Sequence, residues 1–234
     1  MPWILRSLLV ALPVAAIACG QPEATRSLAA VESAAPERAA APSAVAARPR
    51  IVFLGDSLTA GLGLPREQSV PSLIQARLDA EGYGYEVVNA GVSGDTSAGG
   101  LRRLDWALEG DVDVLVVELG ANDGLRGLPV TQMKRNLSEI VGGAVARGVI
   151  VILTGMEAPP NYGPQYTSEF RRAFREVADE HDALFVPFFL EGVAGVAALN
   201  GGDGIHPNAE GARVIERTIW RALEPVLARG ARDR

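Results

Sequence analysis

The sequence predicts an α/β fold: a three-layer α/β/α sandwich around a five-stranded parallel sheet. Three observations carry this. Short, continuously apolar and often β-branched runs recur along the chain from Ile51 to Pro187. Segments with helical apolar spacing separate them. The runs do not alternate with polar residues, so each strand is covered on both faces, as strands of a parallel sheet between two helix layers must be.

The elements follow in order. Ile51–Leu54 is an apolar run ending at Gly55, and Ser69–Glu81 reads as a helix. Glu86–Asn89 is a strand, Ala98–Glu109 a helix, and Val114–Leu119 a β-branched run. Thr131–Arg147 is a helix with Met133, Leu137, Ile140, Val141 and Ala144 on one face. Val149–Thr154 is a fourth strand, Ser168–Glu180 a helix, and Ala183–Pro187 a fifth strand. Asn208–Leu227 closes the chain, with Ile215, Ile219, Leu223 and Val226 at helical spacing. Trp106 and Trp220 fit the core faces of their helices. In such sheets the chemistry sits beyond the carboxyl ends of the strands.

Ahead of this domain, residues 1–18 read as a signal peptide, with Arg6 in a basic n-region and an apolar stretch too short to span a membrane. The segment Ala16-Ile17-Ala18-Cys19 is both an A-x-A cleavage site and similar to a lipobox whose cysteine is lipidated. Cys19 is the only cysteine of the chain, which favours lipidation and a place in the periplasm or cell envelope; the alternative is a plain secreted protein, and both readings export the chain. Residues 19–49 form an Ala/Pro-rich tether: Gly20 to Pro49 holds eleven Ala and four Pro and shows no apolar periodicity. The folded domain spans 50–229, and 230–234 is a tail.

Composition removes several functions. The net charge is −6 and there is no Lys/Arg-rich run, so nothing draws the chain to nucleic acid. One cysteine allows no intramolecular disulfide. With two histidines and one cysteine, a His/Cys zinc site is excluded. No metal and no cofactor is expected. Catalysis is left to ordinary side chains or a carboxylate-bound ion.

Four blocks fall on the loops that matter. Gly55-Asp56-Ser57-Leu58 follows the first strand, where a serine is presented at the sheet edge. Thr59 breaks the Gly-x-Ser-x-Gly elbow and disfavours the α/β-hydrolase fold. In Val92-Ser93-Gly94-Asp95-Thr96 the glycine lets backbone N–H approach a ligand. In Gly120-Ala121-Asn122-Asp123-Gly124 the Asn amide is a neutral donor suited to an oxyanion. In Asp203-Gly204-Ile205-His206-Pro207 the carboxylate can hold one ring nitrogen and leave the other to take a proton from a serine. Pro207 and Asn208 suit a helix start. Taken singly, each block is more often an ordinary turn or cap.

Together, in this order, the four blocks resemble the SGNH (GDSL-type) hydrolase family over about Ile51 to Leu227. Asn89–Ser97, Val117–Gly127 and Pro160-Asn161-Tyr162-Gly163 look like the thioesterase I / lysophospholipase L1 / arylesterase branch. Gly91 stands where that branch can carry a small polar residue, and Ala121 where Gly is usual. The resemblance implies a flavodoxin-like sandwich and a serine esterase for carboxylic esters or thioesters that forms an acyl-enzyme. It implies Ser57 as nucleophile, His206 as base and then acid, and Asp203 as the group orienting the imidazole. The oxyanion hole would be the N–H groups of Ser57 and Gly94 with the Asn122 amide. Polysaccharide O-acetylesterase activity and an inactive surface binding lipoprotein are the alternatives.

The expected partner is a small-molecule or lipid acyl ester, with the membrane reached only through a lipid anchor at Cys19. Leu125 and Leu128, beside the oxyanion donor, offer apolar surface to the acyl group, with Pro159, Pro160 and Tyr162 as an opposite wall. His181 ends a helix and reads as a surface residue. Asp56, Asp95 and Asp123 are expected to hydrogen-bond loop backbone. Glu118, a carboxylate in an apolar strand, is expected to be paired and to support the site loops.

Overall fold

A computed structural model describes residues 48–230. The signal peptide, Cys19, most of the tether and the last four residues lie outside them. Five parallel strands form one sheet: β1 (Arg50–Gly55), β2 (Glu86–Gly91), β3 (Val112–Glu118), β4 (Ile150–Thr154) and β5 (Leu184–Val186). Their order is β2-β1-β3-β4-β5. The chain leaves β1 toward β2 on one side and reaches β3 on the other, so a crevice opens between the carboxyl ends of β1 and β3. In register Gly55 stands opposite both Gly91 and Glu118.

The long helices are α2 (Val70–Glu81), α6 (Val130–Val145), α7 (Gly163–Glu180) and α8 (Ala209–Gly230). Between them lie the short helices α1 (Ser57–Ala60), α3 (Ser97–Arg102), α4 (Leu104–Ala107) and α5 (Ala121–Leu125). Helix α2 packs with α8, while α6 packs with α3 and α7. Ile51–Leu54 and Val114–Val117 are buried between these groups, as strands without polar alternation require. The apolar face read on α6 is buried in full at Met133, Leu137, Ile140, Val141 and Ala144. Among the described residues no helix is long and apolar enough to cross a membrane.

The structure corrects three expectations. Ala98–Glu109 is not one helix. It breaks at Arg103, whose N–H bonds Gly100 and whose guanidinium is spent on Gly55 O at 2.8 Å, Ala90 O at 2.6 Å and Asp95 at 2.7 Å. That break turns Trp106 outward: it is 57% exposed, whereas Trp220 is buried as expected. The helix expected from Ser168 starts a turn and more earlier, at Gly163, because Pro164 fits the first turn, where its missing N–H costs nothing.

Candidate active site

The turn after β1 carries Ser57 at the first position of α1. Asp56 precedes it as the cap, its Oδ1 accepting the Leu58 N–H at 2.9 Å. Gly55 has no room for a side chain, since a Cβ there would stand 2.0 Å from Thr59 Oγ1 and 2.8 Å from Glu118 O. The Ser57 N–H heads a helix and has no intrahelical acceptor, so it is free to face the crevice.

The loop between Asn200 and Asn208 brings His206 to this turn. It is pinned at its base by the Asn200–Pro207 bridge and by Gly201 N–H donating to His206 O at 2.7 Å. Asn208 Oδ1 accepts from the N–H groups of Glu210 and Gly211 and starts α8. His206 Nε2 lies 2.9 Å from Ser57 Oγ, and His206 Nδ1 lies 2.6 Å from Asp203 Oδ2. The other oxygen of Asp203 accepts the N–H groups of Ile205 and His206, both at 3.0 Å. Backbone donation from His206, then its ring and the Ile205 N–H, hold the Asp203 carboxyl far below the usual carboxylate range. The three residues therefore form one hydrogen-bonded line whose far end stays anionic.

Gly94, in the loop after β2, has φ +85°. Its carbonyl accepts from the Arg126 guanidinium at 2.8 Å. Asn122 sits in α5, directly after β3, and donates Nδ2–H to Asp56 Oδ2 at 2.9 Å. A carboxylate can pair only with the NH₂ end, so Asp56 fixes the orientation of the amide, and one of its two hydrogens remains for another acceptor. Asp123 accepts from Ser97 N–H at 2.8 Å and Ser97 Oγ at 2.6 Å, and Asn136 closes that buried network at 2.9 Å. The loops carrying Gly94 and Asn122 are thus tied to each other.

Asp56 and Asp123 bond loop backbone as expected, but the Asp56–Asn122 contact escaped the sequence, because the residues are 66 positions apart. Asp95 differs: its carboxylate pairs with Arg103 rather than with backbone. Glu118 is fully buried and accepts from Asp56 N–H at 3.2 Å and Thr59 Oγ1 at 2.9 Å. His181 caps α7 and bonds Ser138 Oγ at 2.8 Å. It lies away from Ser57.

A cleft of about 810 Å³ opens over Ser57, Asn122 and His206. Leu125, Pro159 and Pro160 line it, joined by Met156, Phe188, Leu190 and Ile205. Leu128 and Tyr162 do not line it. The Tyr162 hydroxyl donates to Leu125 O at 2.9 Å, and the Leu128 carbonyl accepts from Tyr166 at 2.8 Å, so both residues fasten the loop instead. Phe188 and Leu190 were missed, yet they follow β5 at the strand end where ligands gather. Among the described residues no group of three or more His, Cys, Asp and Glu could hold a metal ion.

Comparison with known proteins shows the family. Residues 53–214 match the model of the GDSL-like lipase/acylhydrolase family. The chain belongs to that family. It is 46% identical over 183 residues to the esterase TesA of Pseudomonas aeruginosa, covering 78% of this chain and 91% of that protein. It is 38% identical to an arylesterase of Vibrio mimicus (74% and 88% covered) and 34% identical to thioesterase 1/protease 1/lysophospholipase L1 of Escherichia coli (78% and 86%). The crystal structure of TesA superposes with a TM-score of 0.72, covering 75% of this chain and 98% of that one. The psychrotrophic esterase EstA from Pseudoalteromonas sp., 37% identical, superposes with a TM-score of 0.73 over 76% of this chain and 98% of its own.

Proposed function

We propose that this family member is a serine esterase that cleaves carboxylic esters or thioesters of acyl groups, with Ser57, His206 and Asp203 as its catalytic triad. The observation that carries the reading is the unbroken line from Ser57 Oγ through the imidazole to Asp203, opening on an apolar cleft. The relatives are named as esterase, arylesterase and thioesterase/lysophospholipase, which supports acyl ester substrates.

Ser57 Oγ attacks the substrate carbonyl carbon while His206 Nε2 takes its proton. The imidazolium is stabilised by Asp203. Charge develops on the carbonyl oxygen, which the N–H groups of Ser57 and Gly94 and the free amide hydrogen of Asn122 receive. The C–O or C–S bond then breaks, and His206 returns the proton to the departing alcohol or thiol. Water, deprotonated by His206, attacks the acyl-enzyme and releases the acid and Ser57. Met156, Leu125 and Leu190 give the cleft an apolar lining, which suits an acyl chain better than the acetylated sugar of a polysaccharide.

The test is covalent labelling. A fluorophosphonate should label the wild type and not Ser57→Ala, and a panel of nitrophenyl esters, acyl-CoA and lysophospholipid should show turnover lost in the same variant. Labelling that persists in Ser57→Ala would assign another nucleophile.

The reading includes export, with Cys19 as a lipid anchor and residues 20–49 as the spacer. Expressed in a bacterial host, the protein should partition with membranes, and Cys19→Ser should release it. A wild type already soluble would leave plain secretion.

A further inference from the structure

Glu118 is a fully buried acid beside the site that the reaction does not use. It ends β3, is fully shielded from solvent, and faces the turn of the nucleophile rather than the substrate. Its Oε2 accepts from Asp56 N–H and Thr59 Oγ1, the residues on either side of the Ser57-Leu58 pair. Its Oε1 is buried with no hydrogen-bond partner. A charged oxygen left there would forgo all solvation, whereas an uncharged one forgoes a single hydrogen bond, a far smaller cost.

We propose that Glu118 is a positioning residue that works as a neutral carboxylic acid, anchoring the turn so that Ser57 and the Asp56–Asn122 contact hold their places. This rests on the esterase reading above. Burial first, and then the neighbouring Asp56 charge, push the Glu118 carboxyl well above the usual range. Burial raises Asp56 too, but Asp56 accepts from Leu58 N–H and Asn122 and faces His206, all of which favour its charged form. The pair therefore carries one negative charge, on Asp56. Arg103 directs its Nε, Nη1 and Nη2 donors to Asp95 and to the carbonyls of Ala90 and Gly55, and no hydrogen bond or ion pair joins it to Glu118.

A neutral acid predicts the effect of its neutral isostere. Glu118→Gln keeps an acceptor for Asp56 N–H and Thr59 Oγ1, so kcat should stay close to wild type. Glu118→Ala leaves both donors unpaired and frees the turn; kcat should fall about 10²-fold with KM little changed, the scale of a small misplacement of the reacting group. Should Glu118→Ala fail to fold, Thr59→Val removes one of the two bonds and should lower kcat by less, in the same sense.

The pH dependence gives the sign. Because the folded state raises the Glu118 pKa, its stabilisation is complete below the unfolded value and is lost as pH rises through the folded one. The melting temperature of Glu118→Gln relative to wild type should therefore climb with rising pH. An anionic Glu118 would give the opposite: a Gln variant less stable at neutral pH that converges with wild type on acidification.

The experiment is the pH profile of Tm and kcat for the wild type and the Gln, Ala and Thr59→Val variants, with fluorophosphonate labelling beside it. A Gln variant as impaired as the Ala variant, or one less stable than wild type at neutral pH whose deficit closes toward acid, overturns the proposal. Absence of labelling in the wild type would instead refute the esterase reading itself.

Discussion

The two halves of the site are built in opposite ways. The Ser57 turn is buried between β1 and β3 and is held by side chains far away in sequence: Glu118, Asn122 and Arg103. The Asp203–His206 loop lies at the surface, with the Asp203 side chain 51% exposed, and is held by neighbours within a few residues. Only one half takes its precision from the sheet. A fault near Ser57 should therefore cost folding as well as chemistry, and a fault in the histidine loop chiefly chemistry.

The sharpest way to break this contrast is to remove reacting atoms on each side. Ser57→Ala and His206→Ala should each lower kcat by about 10⁶-fold, because triad members act as a unit. Neither removes a bond that holds the fold, so melting temperatures should stay near wild type. Unequal losses in kcat would show that the two residues do not work together.

Asp203→Asn probes the exposed half alone. The amide can still accept from Ile205 and His206 N–H, so the loop should keep its shape, but the charge behind the imidazole is gone. A kcat loss of about 10⁴-fold is the scale for such a change in a comparable triad, and exposure to water should hold it at or below that. In the wild type, donation from His206 keeps Asp203 ionised far below the usual carboxylate range. Whatever stability that pairing adds is present above the unfolded pKa and lost only as pH falls through the depressed one. Acid titration of Tm in wild type and Asp203→Asn checks this: the two curves should converge only in strong acid.

Asn122→Ala tests the buried half without touching the triad. It removes an oxyanion donor and leaves Asp56 one partner short. The expected loss is about 10²–10³ in kcat, roughly 2.7–4 kcal/mol, with KM little changed. A drop in Tm should accompany it, larger than that of the Asp203 variant, because Asp56 is buried and the Asp203 side chain is half exposed. A rise in KM alone would recast Asn122 as a residue that binds substrate.

The same division explains what could be read from the sequence. Strand positions and the apolar face of α6 follow from periodicity, which is local. The histidine loop was legible because Asp203 and His206 are three residues apart. The Glu118–Asp56–Asn122 arrangement was legible only in part: an acid in an apolar strand signals a partner, but its partner is 62 residues away. Trp106 was misread for a related reason, since the break at Arg103 is imposed by carbonyls of β1 and β2 and not by the residues around it.

The smallest expected effect lies in the cleft, where Leu125 and Leu128 separate two roles that their spacing could not. Leu125 is 47% exposed and lines the cleft, while Leu128 lies outside it and its carbonyl holds the Tyr166 hydroxyl. Apolar contact contributes about 0.8 kcal/mol per methylene, nearly fourfold in affinity. Leu125→Ala should thus lower kcat/KM for medium-chain esters by about fourfold for each methylene that loses its contact, while acetate ester turnover and fluorophosphonate labelling stay unchanged. Leu128→Ala should leave the chain-length profile flat, because the backbone carbonyl that Tyr166 uses survives the substitution. Chain-length series from acetate to palmitate on both variants decide the matter. If Leu128→Ala moves the preference and Leu125→Ala does not, the loop turns its other face to substrate when the cleft is filled. The division between lining and fastening residues would then be wrong, with the triad unaffected.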